Sequence, residues 1–217
     1  MLQKDTIIFL SELKKNNNRD WFAKNKDWYE NSHKDFEQLV SELIHSISQF
    51  DIQTRYLIPK KCIYRIYRDM RFSKDKTPYK THFGAVISEK KGSGFYIHVE
   101  PGNTFLSCGY YGLTSHQLKN IRQGISKNYK EFRTLLSDSE FKKEIGDLSR
   151  GSNVLKRVPV GFDKENPAAE YLKLKEFYTV KPFDDEKLFN RNFIAYTTNI
   201  YKLMQPIYEF LEEFVHD

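Results

Sequence analysis

Apolar residues recur along the chain in two rhythms, and the switches between them divide it into three stretches. Ile7 to Leu13 fits one short helix, and Asn16, Asn17 and Asn18 then form a polar break suited to capping a second. Phe36, Leu39, Val40, Leu43, Ile44, Ile47 and Phe50 step by three and one along one stripe, which predicts a helix over 27–49. At Lys61 the period becomes two. Four short segments follow, 61–69, 82–88, 94–100 and 104–111, rich in Tyr, Phe, Ile and Val and separated by Gly, Pro and Asn. They predict a four-stranded antiparallel meander, with Pro101-Gly102-Asn103 as the last turn.

Helical spacing returns with Leu118, Ile121 and Ile125, then Tyr129, Phe132 and Leu136, then Phe141, Ile145 and Leu148. Ser137-Asp138-Ser139-Glu140 has the capping-box pattern and predicts a helix start. From Val154 to Phe183 the chain reads as irregular, with one short helix over 168–177 between prolines. Phe193, Ile200, Leu203, Met204, Ile207, Leu211 and Phe214 predict a long C-terminal helix kinked near Pro206, its acidic start at Asp184, Asp185 and Glu186 complementing the helix dipole. Helices before and after an unbroken run of strands define an α+β arrangement. The reading is one domain over 1–217, helical over 5–50, sheet over 61–111 and mainly helical over 115–217, with helices on one sheet face and the other face available for a site.

Composition narrows the function classes. With 39% hydrophobic and 15% aromatic residues among 217, the chain has enough apolar surface for a core. It holds no run of 18 apolar residues, and Ile7 to Leu10 is too short for a signal peptide, which points away from membranes and secretion and toward the cytoplasm. Cys62 and Cys108 stand apart with no CxxC, so they read as buried thiols and not as a disulfide or zinc framework.

Charge is what singles out one segment. Between Lys60 and His82 stand eight basic residues, Lys60, Lys61, Arg65, Arg68, Arg71, Lys74, Lys76 and Lys80, against Asp69 and Asp75, so this stretch carries the whole +6 of the chain. Such a field draws phosphates, carboxylates or nucleic acid. The segment therefore suggests an anionic, phosphate-bearing small ligand held by Arg65, Arg68, Arg71, Lys74, Lys76, Tyr79 and Lys80. Strand alternation allows one arginine, Arg65 by preference, to point into a pocket or at a buried carboxylate. The plain alternative is a structural network in which Arg68 or Arg71 pairs with Asp69, Asp75 or Glu100, or a surface for a protein partner. Nucleic-acid binding is a further alternative and requires exposed aromatics such as Tyr79.

On the segment 95–100, Phe95, Ile97 and Val99 face one way and Tyr96, His98 and Glu100 the other. An imidazole beside a carboxylate suits acid–base chemistry, which keeps an enzyme acting on the same ligand open as an alternative. No third metal ligand stands at a diagnostic spacing, so neither a metal nor a cofactor is expected from the sequence. Phosphate-loop, dinucleotide, nucleophile-elbow and HExxH motifs are absent. Trp21 and Trp28, seven residues apart, read as core on one helix face.

Several blocks together carry a family likeness. Asn16-Asn17-Asn18-Arg19-Asp20-Trp21-Phe22, the segment Arg65 to Lys80, the hairpin Gly94 to Gly109, and Leu155-Lys156-Arg157-Val158-Pro159-Val160-Gly161-Phe162 with Pro167 resemble the signature blocks of domain of unknown function 2461. The likeness runs in order from about Phe9 to Phe183. It implies a bacterial, intracellular protein and brings no catalytic residues with it.

Overall fold

A computed structural model of the chain describes residues 1–69, 71, 75–90, 92–151 and 154–215. It is an α+β protein with a four-stranded antiparallel sheet in the order β1-β2-β3-β4 and helices from the N-terminal, central and C-terminal parts of the chain. The strands are β1 (Phe83–Ile87), β2 (Ser93–Val99), β3 (Phe105–Tyr110) and β4 (Phe177–Pro182). Three of them coincide with the expected segments and the fourth does not.

The segment 61–69 begins in a short helix, α4 (Pro59–Cys62), and then runs extended with only isolated bridges, Ile63 to Ala85 and Tyr67 to Tyr79. Pro78 accepts from the Arg68 amide at 3.0 Å but has no N–H to return, so the ladder is interrupted there. The fourth strand comes instead from the stretch read as irregular. Phe177 and Thr179 are buried while Tyr178 and Val180 are half-buried, and the strand is fastened to β3 by the Ser107 hydroxyl donating to the Thr179 carbonyl at 2.7 Å. Gly109 makes that pairing possible: its φ is 142°, and a Cβ there would sit 2.2 Å from the Phe177 carbonyl oxygen.

The chain divides into two compact units. The first is Met1–Glu89, Tyr96–Leu106 and Pro182–Thr198, and the second is Lys90–Phe95, Ser107–Lys181 and Asn199–Asp217.

In the first unit, α1 (Lys4–Lys15), α2 (Arg19–Lys24) and α3 (Lys26–Ile47) follow the expected apolar stripes. Asn18 caps α2, its side chain accepting from the Trp21 amide at 2.9 Å. The cap of α1 comes from elsewhere, because Gln3 has no side-chain cap bond: Asp35 on α3 accepts from the Gln3 amide at 2.8 Å and the Thr6 hydroxyl at 2.6 Å. Phe9 and Phe36 bury completely and stack on Phe83 of β1 with centroids 6.3 and 5.4 Å away. Each such ring contributes about 1.5–3 kcal/mol by leaving water. Trp21 and Trp28 pack near Phe9 but are half-buried and not core, and they come from two helices, since the chain breaks at Asn25.

The acidic run at Asp184 serves a different purpose from the one expected. Residues Asp185–Phe189 form a 3-10 turn, and the C-terminal helix (Phe193–Glu212, with Pro206 inside) starts only afterwards. Asp185 accepts from the Thr104 hydroxyl at 2.5 Å and the Gly102 amide at 2.8 Å. It pins the turn at Gly102, whose φ is 75°.

In the second unit, α5 (Ser115–Lys127) opens with a capping box between Thr114 and Gln117, and α6 (Tyr129–Leu136) and α7 (Ser139–Glu144) follow, α7 capped by Asp138. The core gathers Ile121, Ile125, Phe132, Leu172 and Phe177 with Phe210 and Leu211. Arg122 is buried here, one guanidinium nitrogen donating to the Leu174 carbonyl at 2.8 Å. Among the described residues no helix is long and apolar enough to cross a membrane.

Candidate functional site

The basic segment resolves into three different arrangements. Arg71 is exposed and grips Asp69 with two nitrogens, at 3.1 and 2.7 Å, which holds the Asp69 carboxyl well below the usual range. Arg68 is half-buried, 2.8 Å from Asp75 through one nitrogen and 3.4 Å from the Tyr79 carbonyl through another. Its Nε is buried with no hydrogen-bond partner among the described residues. Asp75 is itself kept ionised first by the Thr77 amide and hydroxyl and then by Arg68. The structural pairing allowed for Arg68 and Arg71 is therefore present, with Asp75 and Asp69 as partners.

Arg65, expected to be the inward-pointing arginine, is exposed, and Arg68 takes that place. The alternation itself holds, with Ile66 and Arg68 turned inward and Arg65, Tyr67 and Asp69 exposed; burial of Ile66 sets which face points in. Lys76 is exposed, Lys80 is half-buried with its ammonium 5.3 Å over the Tyr64 ring, and Lys74 lies outside the described residues. Burial lowers the Lys80 pKa, and the charges of Arg65 and Arg68 add to it.

Tyr79 is no exposed stacking surface, being only 6% accessible. Its backbone is held on both sides by the Asn17 amide, which accepts from its N–H at 3.1 Å and donates to its carbonyl at 2.9 Å. Its ring stacks on Phe22 at 3.9 Å. These two rings, with Tyr67, Arg19, Lys26 and Arg68, line a groove of about 560 Å³. Arg19 and Lys26 were not among the expected ligand residues, because they precede Arg65 by 46 and 39 positions and carry no local signal.

A second cluster sits on β2. Tyr96, His98 and Glu100 share a face as the alternation requires, and the chain entering β1 places His82 beside them. The His82 and His98 rings are 4.2 Å apart between centroids, and His98 Nε2 is 3.4 Å from a Glu100 oxygen. Donor atoms of the three residues all lie within 4.8 Å of one another. Glu100 accepts from the Thr81 hydroxyl at 2.7 Å and from Asn103 Nδ2 at 2.9 Å. The Tyr96 hydroxyl is 2.8 Å from His98 Nδ1, and Phe105 stacks on the imidazole at 4.5 Å.

Burial pushes the His82 pKa down to about 4, with the His98 charge next in importance and Lys80 and Arg68 adding smaller pushes. Burial likewise lowers His98, partly opposed by Glu100. For Glu100 burial acts upward, but hydrogen bonds from Asn103 and Thr81, with a smaller contribution from His98, outweigh it and hold the carboxyl at about 2. At neutral pH the cluster is thus two neutral imidazoles and a carboxylate. The expectation of no metal rested on the lack of a third donor at a diagnostic spacing in sequence; in the fold, donor atoms of His82, His98 and Glu100 lie together.

Fold and site together define an α+β protein that carries a two-histidine, one-carboxylate cluster and a cationic, aromatic-walled groove. The chain belongs to the family of conserved hypothetical proteins called domain of unknown function 2461, whose profile matches residues 5–210. No curated protein and no solved structure matches it.

Proposed function

We propose that the protein binds an anionic, phosphate-bearing small molecule in the groove that Arg68 and Tyr79 of the basic segment share with Arg19 and Lys26. The observation that carries this reading is the meeting of three cations with the stacked Phe22–Tyr79 pair in about 560 Å³, within the size of ordinary ligand sites. The rings offer an apolar wall to a planar group, and the guanidinium and ammonium groups suit phosphate oxygens. Arg68 lines the groove and Arg71 does not, which moves the weight of the reading to the groove. The protein is taken to be bacterial and cytoplasmic, a reducing setting that suits the buried thiols Cys62 and Cys108.

Calorimetric titration with ATP and with pyrophosphate tests this. Saturable binding is expected, weakened roughly 10- to 100-fold in Lys26→Ala or Arg68→Ala, the range of one lost hydrogen bond to a charged group. Binding unchanged in both variants, or no saturable binding, refutes the groove. A single-stranded oligonucleotide binding more tightly than either small anion, with a steep salt dependence, selects the nucleic-acid alternative. The enzymatic alternative, with His98 and Glu100 acting on the bound ligand, draws on the arrival of His82 beside them. Under it His98→Gln loses turnover and keeps ATP binding.

A further inference from the structure

We propose that His82, His98 and Glu100 hold one divalent first-row transition-metal ion, with remaining coordination positions open to water or a ligand. The inference stands apart from the anion-binding groove and survives its failure.

Geometry carries it. A charge-assisted hydrogen bond between an imidazole and a carboxylate closes to about 2.7–2.9 Å. The 3.4 Å between His98 Nε2 and Glu100 Oε2 is too long for that. It is the separation of two ligands each about 2.1 Å from one ion at a tetrahedral angle, about 3.4 Å. His82 brings a third donor within 4.8 Å of the other two. Two imidazoles and a carboxylate are a donor set for zinc, iron(II) or manganese(II) and not for calcium or magnesium, which prefer all-oxygen shells.

The surroundings are those of a supported site. Thr81 and Asn103 each bond one oxygen of Glu100, at 2.7 and 2.9 Å, and fix the carboxylate plane. Tyr96 Oη lies 2.8 Å from His98 Nδ1, so an Nδ1–H donated to the phenol leaves Nε2 with its lone pair toward Glu100. Phe105, stacked on His98 with a 12° interplanar angle, holds the ring in that plane. With an ion bound, the imidazole nitrogens facing it are ligands and not proton carriers, so this reading displaces the acid–base one.

The test is titration of the chelator-stripped full-length protein with Zn²⁺ in competition with a fluorescent chelator, and with Co²⁺ followed by its visible absorption. One-to-one binding is expected, with the intense Co²⁺ bands of a four- or five-coordinate site. His82→Ala, His98→Ala and Glu100→Gln should each lose more affinity than the roughly 10- to 100-fold that Tyr96→Phe loses as an outer-shell change. His116→Ala should change nothing. Equal affinity in wild type and the three ligand variants overturns the proposal, as does the absence of one-to-one binding in wild type. Because a ligand variant can fail to fold, imidazole NMR signals of the wild type give an independent reading. On adding Zn²⁺ the His82 and His98 signals should shift together, and the proposal fails if they stay still while those of surface histidines move.

Discussion

Replacing Gly84 by alanine probes the packing that holds His98 in place. Gly84 lies in β1 opposite Tyr96, and a Cβ added there would stand 2.5 Å from the Tyr96 hydroxyl oxygen and 3.0 and 3.1 Å from two ring carbons. The phenol has little room to yield. Its hydroxyl is 2.8 Å from His98 Nδ1, and its ring lies 6.2 Å from Tyr64 and 5.9 Å from Phe105 between centroids. Overpacking of this kind costs about 1–3 kcal/mol, offset by about 0.4–1 kcal/mol from the stiffer unfolded chain, so a net loss of roughly 1–2 kcal/mol is expected. Tyr96→Phe alone removes the hydroxyl and its hydrogen bond, costing about 1 kcal/mol. In the double variant the atom at 2.5 Å is gone, and the two losses should fall short of their sum by about 1 kcal/mol. Urea unfolding reads this as midpoint shifts at constant slope. Strict additivity of the pair, or a Gly84→Ala protein as stable as wild type, refutes the claim that Tyr96 is wedged between Gly84 and His98.

Three further outcomes follow from the same structure. Gly109→Ala should cost roughly 3 kcal/mol or more, since it combines a φ of 142° with a 2.2 Å contact to the Phe177 backbone; a thermal midpoint near that of wild type removes the close approach of β3 and β4. Asp185→Ala should lose about 1.5–3 kcal/mol with its two bonds to Thr104 and Gly102, while Asp184→Ala and Glu186→Ala stay within about 0.5 kcal/mol; equal effects at all three positions would restore a helix-dipole role for the acidic run. His33 is held below its ordinary pKa of 6.5, first by burial and also by Lys60, with Glu37 opposing. Its protonation therefore favours the unfolded chain, and the stability present above pH 6.5 is lost as pH falls from there toward its folded pKa. His33→Gln should flatten that part of the curve in urea midpoints, and an unchanged slope excludes His33 as its source.

Much of the architecture was already written in local pattern. The stripe from Phe36 to Ile47 became α3, Asn18 capped α2 as the polar break suggested, and the alternation over 95–100 put Tyr96, His98 and Glu100 on one face. These features depend on spacing and on neighbours within a few residues, which a sequence displays directly. The concentration of charge between Lys60 and His82 was equally plain, but its arrangement was not. Whether Arg65 or Arg68 turned inward depended on which face of the segment is buried, and that is the face of Ile66.

What tertiary structure alone decided is who meets whom. β4 alternates weakly and stands between prolines, and it becomes a strand because β3 offers an edge whose Gly109 lets the Phe177 backbone come close. Arg19 and Lys26 join Arg68 because α2 stacks Phe22 on Tyr79 and α3 begins directly after it. His82 looks like any scattered histidine until β1 pairs with β2 and sets it 4.2 Å from His98. Local periodicity is fixed by backbone geometry over a few residues. A site whose three groups stand on and beside two paired strands is fixed only when the sheet forms and burial makes their mutual positions unique.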